Sequence, residues 1–426
     1  MRKAVAALVG LLAATTVLVQ LATLGNADGA PNSQSGQGVT SSSIRVGITY
    51  PDVAAIRNII NVNPGDYRVA YTALINQLNA HGGINGRKIV PVFAPVDPLG
   101  TAGAATACTQ LTEDDKVFVV LGFFQAADTA CYLQTHDVPI IGASLSSTAA
   151  AQAKAPWFNN LISDSSLVPK EMAVFKQEGA FTGKKVAVVG QTADQAEVNL
   201  VVPVLHRLKV DVVQVAINDA PGTDTAALTA QYAIIAQKFK SSGANLVVAV
   251  GNAGQQWPRA LQSNQSTYLP RLVTTDYTTL DAYVADKAGY SQAILQGALT
   301  AGGIPPPTVI WNDPAMRRCV ATIQAAEPHA VIANPVTATA STPVTYTAPE
   351  VACTQVALFA DIAKAAGPTL NNETFLRGGE SLTHVTLPGG GGTFDFSGGH
   401  NDGNGPVFVY TWDPKANQLR LKTTVG

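Results

Sequence analysis

The sequence predicts an α/β protein built of two doubly wound units with parallel sheets, on three observations. Short apolar runs rich in β-branched residues recur at residues 44–50, 88–94, 117–121 and 138–141, the last two bounded by Gly, the pattern of strands buried on both faces. Segments of helical length separate these runs, so consecutive strands lie parallel. A second series of the same kind begins at Lys185. The 426 residues are long for one core, and two like-sized units account for them.

The elements follow in order. Residues 44–50, IRVGITY, form the first strand. The helix over 66–80 carries Val69, Ala70, Ala73, Leu74, Gln77 and Leu78 on one face. Gly82-Gly83 stop it and Asn85-Gly86 turn the chain. Strand 88–94, helix 101–112, strand 117–121, crossover helix 126–136 and strand 138–141 complete the first series. A helix over 167–178 leads into the second: VAVVG, a helix to Leu208 that contains Pro203, VDVVQVAI, a helix over 224–240, NLVVAVG, a helix after Gln256, RLVTT, a helix to Lys287, and AILQGALTA. From Gly302 the texture changes. Pro305-Pro306-Pro307 is a stiff linker, residues 313–326 and 350–366 read as helices, and a Thr-, Pro- and Ala-rich loop joins them. Gly389 to Gly392 is a hinge-like run before two closing strands at 407–412 and 418–422.

Composition narrows the function classes. The chain is 46% hydrophobic and only 13% charged, with 27 basic and 29 acidic residues and a net charge of −2. No basic field for nucleic acid is present. Met1-Arg2-Lys3 followed by an apolar run to Leu24 is an export signal, read here as a signal peptide over 1–27 and a flexible spacer over 28–43. The same run is long enough to be retained as a bilayer anchor. No Cys precedes Cys108, so the thiol acylated in bacterial lipoproteins is missing.

The four cysteines, Cys108, Cys131, Cys319 and Cys353, are spaced too widely for a zinc motif. Three disulfide pairings are open. Nearest neighbours, Cys108–Cys131 and Cys319–Cys353, are favoured because each then joins two consecutive helices. The six histidines show no metal spacing, and neither GxSxG nor a P-loop occurs. The expectation is a binding protein without metal or cofactor.

In an open parallel sheet, ligands bind at the carboxyl ends of the strands, where loops and helix N-termini converge. That rule selects Tyr50; Phe123, Phe124 and Gln125; Ser144, Leu145 and Ser146; Gln191 and Thr192; Asn252 and Gln255; and Asp276 and Tyr277. Trp257 either faces the cleft or covers the surface. Two adjacent Phe cannot both enter one core, so at least one of Phe123 and Phe124 faces the cleft or an edge. Ser144, Ser146 and nearby amides suit a carboxylate, and Asp276 suits an ammonium. Ser146 and Asp276 are equally suited to capping helices. With one carboxylate and no Lys or Arg on these loops, the expected ligand is small, neutral or zwitterionic, with an apolar portion.

Several stretches together resemble one family: IRVGI at 44–48, HGGINGRKI at 81–89, the strand and loop at 119–125, VPIIGASLSST at 138–148, and FDFSGGHNDGNGPVFVYTWD at 394–413. They are similar to the exported type I solute-binding proteins, the Leu/Ile/Val-binding receptors of ABC transporters. The resemblance implies a Venus-flytrap of two lobes joined by three crossovers near 160–163, 302–306 and 387–392. Lobe one is then 44–162 plus 304–386, and lobe two 163–303 plus 387–426. It further implies a monomer that captures a small molecule between the lobes and delivers it to an ABC permease. A membrane-anchored, ligand-sensing ectodomain is the alternative. Three departures from the family pattern leave the ligand open. Cys131 stands on a helix rather than in the preceding loop, Phe123-Phe124-Gln125 stand where consecutive hydroxyls are common, and Gln191-Thr192 stand where a Tyr is common.

Overall fold

A computed structural model describes residues 35–53, 63–98, 102–125, 128–286, 289–337 and 345–426. The expected signal peptide and residues 28–34 of the expected spacer lie outside them. The first sheet holds β1 (Ser43–Pro51), β2 (Lys88–Val96), β3 (Val119–Gly122), β4 (Ile140–Ile141) and β5 (Trp157–Phe158), ordered β2-β1-β3-β4-β5 and wholly parallel. The strand order reverses between β1 and β3, the crevice where such sheets bind ligands.

Around this sheet lie α1 (Tyr67–Ala80), α2 (Ala102–Thr109) and α3 (Ser147–Gln152). Asp66 caps α1 by accepting the Val69 amide. The second predicted helix ends in a π turn at Gln110–Asp114, and the expected crossover helix before β4 is largely another, Cys131–Thr135.

The next stretch is α4 (Asp164–Gln177), β6 (Lys185–Gln191), α5 (Gln195–Arg207), β7 (Asp211–Asn218), α6 (Thr225–Ser241), β8 (Leu246–Ala249), α7 (Ala253–Ser263), β9 (Arg271–Thr274), α8 (Tyr277–Val284), α9 (Gln292–Leu295) and β10 (Leu299–Gly302). The chain then returns to the first sheet through α10 (Pro307–Asn312), α11 (Pro314–Ala326), α12 (Thr347–Ala365), α13 (Asn372–Glu380) and the small hairpin of β11 (Val385–Thr386) and β12 (Thr393–Phe394). It ends in β13 (Val407–Asp413) and β14 (Gln418–Val425), antiparallel additions that complete a seven-stranded sheet, β14-β13-β10-β9-β8-β6-β7. That sheet is therefore mixed rather than wholly parallel. Neither α10 nor α13 is evident in the sequence. One begins inside the triple Pro with Pro307 at its first position; the other contains Gly378-Gly379 in its last turn and is capped at its start by Asn371 and Thr374.

Each sheet is buried on both faces. Ile44, Val46 and Ile48 of β1 pack against Leu74 of α1 and Phe359 and Ile362 of α12, while Leu111, Val120, Tyr132 and Ile140 fill the other side. Leu387, Phe394 and Phe396 also enter the first core. The last passage between sheets therefore lies beyond Phe396, later than the run of Gly at which the sequence placed it. Trp257, Phe239 and Tyr283 fill one face of the second sheet and Phe175, Val188 and Val248 the other.

Both expected disulfides are present. Cys108 and Cys131 have Cα atoms 6.5 Å apart, and Cys319 of α11 and Cys353 of α12 have theirs 5.9 Å apart. No helix among the described residues is long and apolar enough to cross a membrane.

Candidate functional site

The switch point is built by close backbone approach. Gly122 at the end of β3 has φ +128°, and a Cβ there would stand 1.9 Å from the Thr49 carbonyl oxygen. Gly142 after β4 has φ +111°, and its Cβ would meet Gln355 Nε2 at 2.1 Å. Only glycine fits either position. Buried Gln355 donates to the Gly122 carbonyl at 3.1 Å and accepts from the Tyr71 hydroxyl at 2.6 Å, so α12 and α1 hold these strand ends from behind.

Beyond them opens a cavity of about 420 Å³. Phe123, Phe124, Tyr67, Phe394 and Glu350 line it, together with residues 159–161, 303–305 and 388–390. The adjacent Phe side chains diverge as expected. Phe123 is 36% exposed, whereas Phe124 turns edge-on to Tyr132 with ring centroids 5.6 Å apart. Glu350 is the acid in this apolar lining. Burial pushes its carboxyl up to about 7, although the Trp311 indole N–H donates to it.

The other lobe-one candidates take structural roles. Tyr50 stacks on Tyr67 at 6.2 Å and lines a separate recess with Asp52 and Arg68. Gln125 donates to the Asp97 carbonyl at 2.9 Å and ties down its own loop. Ser144 is exposed and accepts from Asn159 at 2.9 Å. Leu145 packs on the core beneath. Ser146 caps α3 through the Ala149 amide at 3.2 Å, the capping alternative read from the sequence.

In lobe two, Gln191 is buried and donates to the Tyr232 hydroxyl at 3.2 Å. Thr192 is exposed in a 3₁₀ turn that ends at Asp194, and Asn252 donates to that Asp194 at 2.9 Å. Gln255 is half-buried in the first turn of α7. Asp276 caps α8, its Oδ1 accepting from the Thr278 amide and hydroxyl, each at 2.7 Å. Tyr277 stacks on Tyr410 at 4.0 Å, and burial, reinforced by Asp281, pushes its hydroxyl up to about 12. Trp257 does not face the cleft. It is 1% exposed and edge-on to Tyr232 in the core.

Sequence reasoning missed the acids gathered at this end of lobe two: Asp164, Glu171, Asp194 and Glu197. The readable signal was a Glu inside an apolar stripe, since Val168, Glu171, Met172 and Phe175 share one buried helical face. Gln355 gave the same signal among Ala352, Val356 and Phe359. The link between the lobes is polar. The Ser163 hydroxyl and amide donate to Asp402 at 2.5 and 2.9 Å, and the Asn159 amide donates to the Asn401 carbonyl at 2.8 Å. Burial alone would raise the Asp402 carboxyl, but these bonds, with others from Ser166 and Asn404, hold it below its ordinary value.

Two α/β lobes, three connecting passages and a cavity at the strand ends match one established architecture, and residues 43–418 match the periplasmic binding protein family in sequence. The chain belongs to the periplasmic binding protein family, and its fold is the type I periplasmic binding protein fold. As such it is a ligand-binding protein and not an enzyme. No curated protein matches it.

Among solved structures, this binding protein is similar to the leucine-binding protein LivK of Thermotoga maritima, at 12% identity and TM-score 0.58 over 90% of this chain and 99% of that one. It is similar to a solute-binding protein of an R. palustris ABC transporter in complex with 4-hydroxybenzoate, at 14% and 0.57 over 90% and 97%. It is also similar to the fatty acid ABC transporter substrate-binding protein of Thermomonospora curvata, at 13% and 0.57 over 91% and 93%. At these identities the likeness is one of fold.

Proposed function

We propose that this binding protein is exported by its N-terminal signal, captures a small neutral or zwitterionic molecule with an apolar portion between its lobes, and delivers it to an ABC permease. Two surfaces at strand ends support the reading. Lobe one offers an apolar cavity edged by Phe123 and Phe124, and lobe two offers the half-buried carboxylate of Asp276. An apolar body enters the first while a polar head meets the second. Each lobe has its own core, so ligand that touches both favours a closed arrangement through its extra contacts.

A thermal-shift screen of amino acids, amides, small carboxylates and nucleobases tests the reading. Ligand at a hundred times its dissociation constant stabilises by about 2.7 kcal/mol. Asp276→Asn weakens a zwitterion and spares a neutral amide. A hit list restricted to phosphorylated or dicarboxylate compounds defeats this account of the cleft. Scattering curves that superimpose with and without a tight ligand defeat the closure.

A further inference from the structure

The disulfide Cys108–Cys131 has two polar neighbours that a covalent staple does not require. His136 brings a ring nitrogen to both sulfurs, and these three ligand atoms all lie within 4.8 Å of one another. Glu113 sets its Oε1 3.5 Å from His136 Nε2. Among the described residues the second disulfide, Cys319–Cys353, belongs to no such group.

Two π turns build the cluster. In an α-helix, residues five apart point about 140° away from each other; a π turn, bonded from i+5 to i, sets them on one face. His136 follows Cys131 by five residues, and its amide donates to the Cys131 carbonyl at 3.1 Å. Glu113 follows Cys108 by five residues, across the π turn Gln110–Asp114 that continues α2. Each cysteine thus has a partner at the same spacing, and the bridge lays the two pairs side by side. Such turns are rare and recur at functional sites.

We propose that, once their disulfide is reduced, Cys108 and Cys131 bind a zinc ion together with His136, whose imidazole Glu113 orients.

The donor set selects the metal. Two thiolates and an imidazole suit tetrahedral zinc, with water in the fourth position. A carboxylate beside a metal-bound imidazole fixes the ring and raises its basicity. Two thiolates on one zinc stand about 3.8 Å apart, a separation that Cα atoms 6.5 Å apart accommodate by side-chain rotation. Cys108 is buried, but Cys131 is half-buried and the His136 side chain is 22% exposed, so the cluster is reached from solvent.

A dithiol supplies the electrons. One of its thiolates attacks Cys131 Sγ and expels the Cys108 thiolate. Its second thiolate attacks the mixed disulfide, releases Cys131 and leaves the reagent as a disulfide. Two electrons have then passed to the protein, and zinc binding sends the two thiol protons to solvent. Only a thiolate ligates the metal, so the bridge and the zinc site exclude each other.

The test reduces the purified protein with dithiothreitol, removes the reagent by anaerobic gel filtration and counts thiols. It then titrates Co²⁺, with Zn²⁺ as competitor, while circular dichroism follows the fold. The expected result is one cobalt per chain with a thiolate-to-metal absorption band, displaced by zinc, and binding at least about 100-fold weaker in unreduced protein. His136→Ala loses about 100-fold or more and Glu113→Gln about 10- to 100-fold. Cys108→Ser combined with Cys131→Ser, which keeps Cys319 and Cys353, gives no band after the same reduction; if that variant does not fold, the His136 and Glu113 variants carry the test. Undiminished binding in His136→Ala, the same band in the double-serine variant, or no uptake by folded, reduced wild type overturns the inference. So does a bridge that the dithiol cannot open in the folded protein. Reduced protein that unfolds and is restored by zinc supports the inference; unfolding that zinc does not reverse overturns it.

Discussion

Replacing Glu350 with Gln tests how the inter-lobe cavity treats charge. Burial raises this carboxyl from 4.5 to about 7, so the folded protein holds a proton that the unfolded chain releases. Such a group leaves stability untouched below about pH 4.5, erodes it as pH rises to about 7, and has no further effect above. The distance between the two values corresponds to about 3 kcal/mol. Glu350→Gln keeps an oxygen to accept from the Trp311 indole and removes the titration. Urea unfolding of both proteins at pH 4 and pH 8 then gives a stability gap that grows by about 3 kcal/mol in favour of the variant, because every other titrating group cancels in the difference. A gap that stays constant between the two values shows that Glu350 is solvated, and the description of the cavity as an apolar chamber with one neutral acid fails.

Three further outcomes follow from particular contacts. Gly142→Ala places a methyl 2.1 Å from Gln355 Nε2 at φ +111°; it destabilises by at least about 2 kcal/mol, and a loss under 0.5 kcal/mol by denaturant unfolding refutes the close approach. Replacing Cys319 and Cys353 together by Ala removes about 3–4 kcal/mol in the chain-entropy account, and peptide mapping of unreduced protein recovers Cys108 with Cys131 and Cys319 with Cys353; free thiols or other pairs contradict it. Asp402→Ala orphans the Ser163 amide and hydroxyl and loses roughly 2–3 kcal/mol at pH 7. Because the folded-state carboxyl of Asp402 is depressed, the wild-type advantage is present above about pH 3.8 and fades as pH falls through the lowered value; an advantage that persists in strong acid argues against it.

Much of this protein is local and therefore legible. Period and length fixed the strands, because a run such as Leu246–Ala249 between helical stretches is buried on both faces only in a parallel sheet. Position at strand ends singled out the loops after β3 and β4, and the paired Phe had to diverge. Neighbouring helices brought the cysteines together. The candidate site was only half readable. Strand-end position selected Phe123, Asp276 and Tyr277 as candidates together with Gln125, Ser146 and Gln191, but a side chain's partner lies elsewhere in the chain, and the last three bind Asp97, the start of α3 and Tyr232.

The sequence by itself determined the two α/β units, pointed to the strand ends as the binding edge and favoured nearest-neighbour cysteines as partners, since each depends on spacing along the chain. Only the tertiary structure decided which polar groups are desolvated. Glu171, Glu197 and Glu350 are ordinary helix acids until packing removes their water and sets them beside one another or beside Trp311; that loss of hydration depends on what folds over them, which no local pattern specifies.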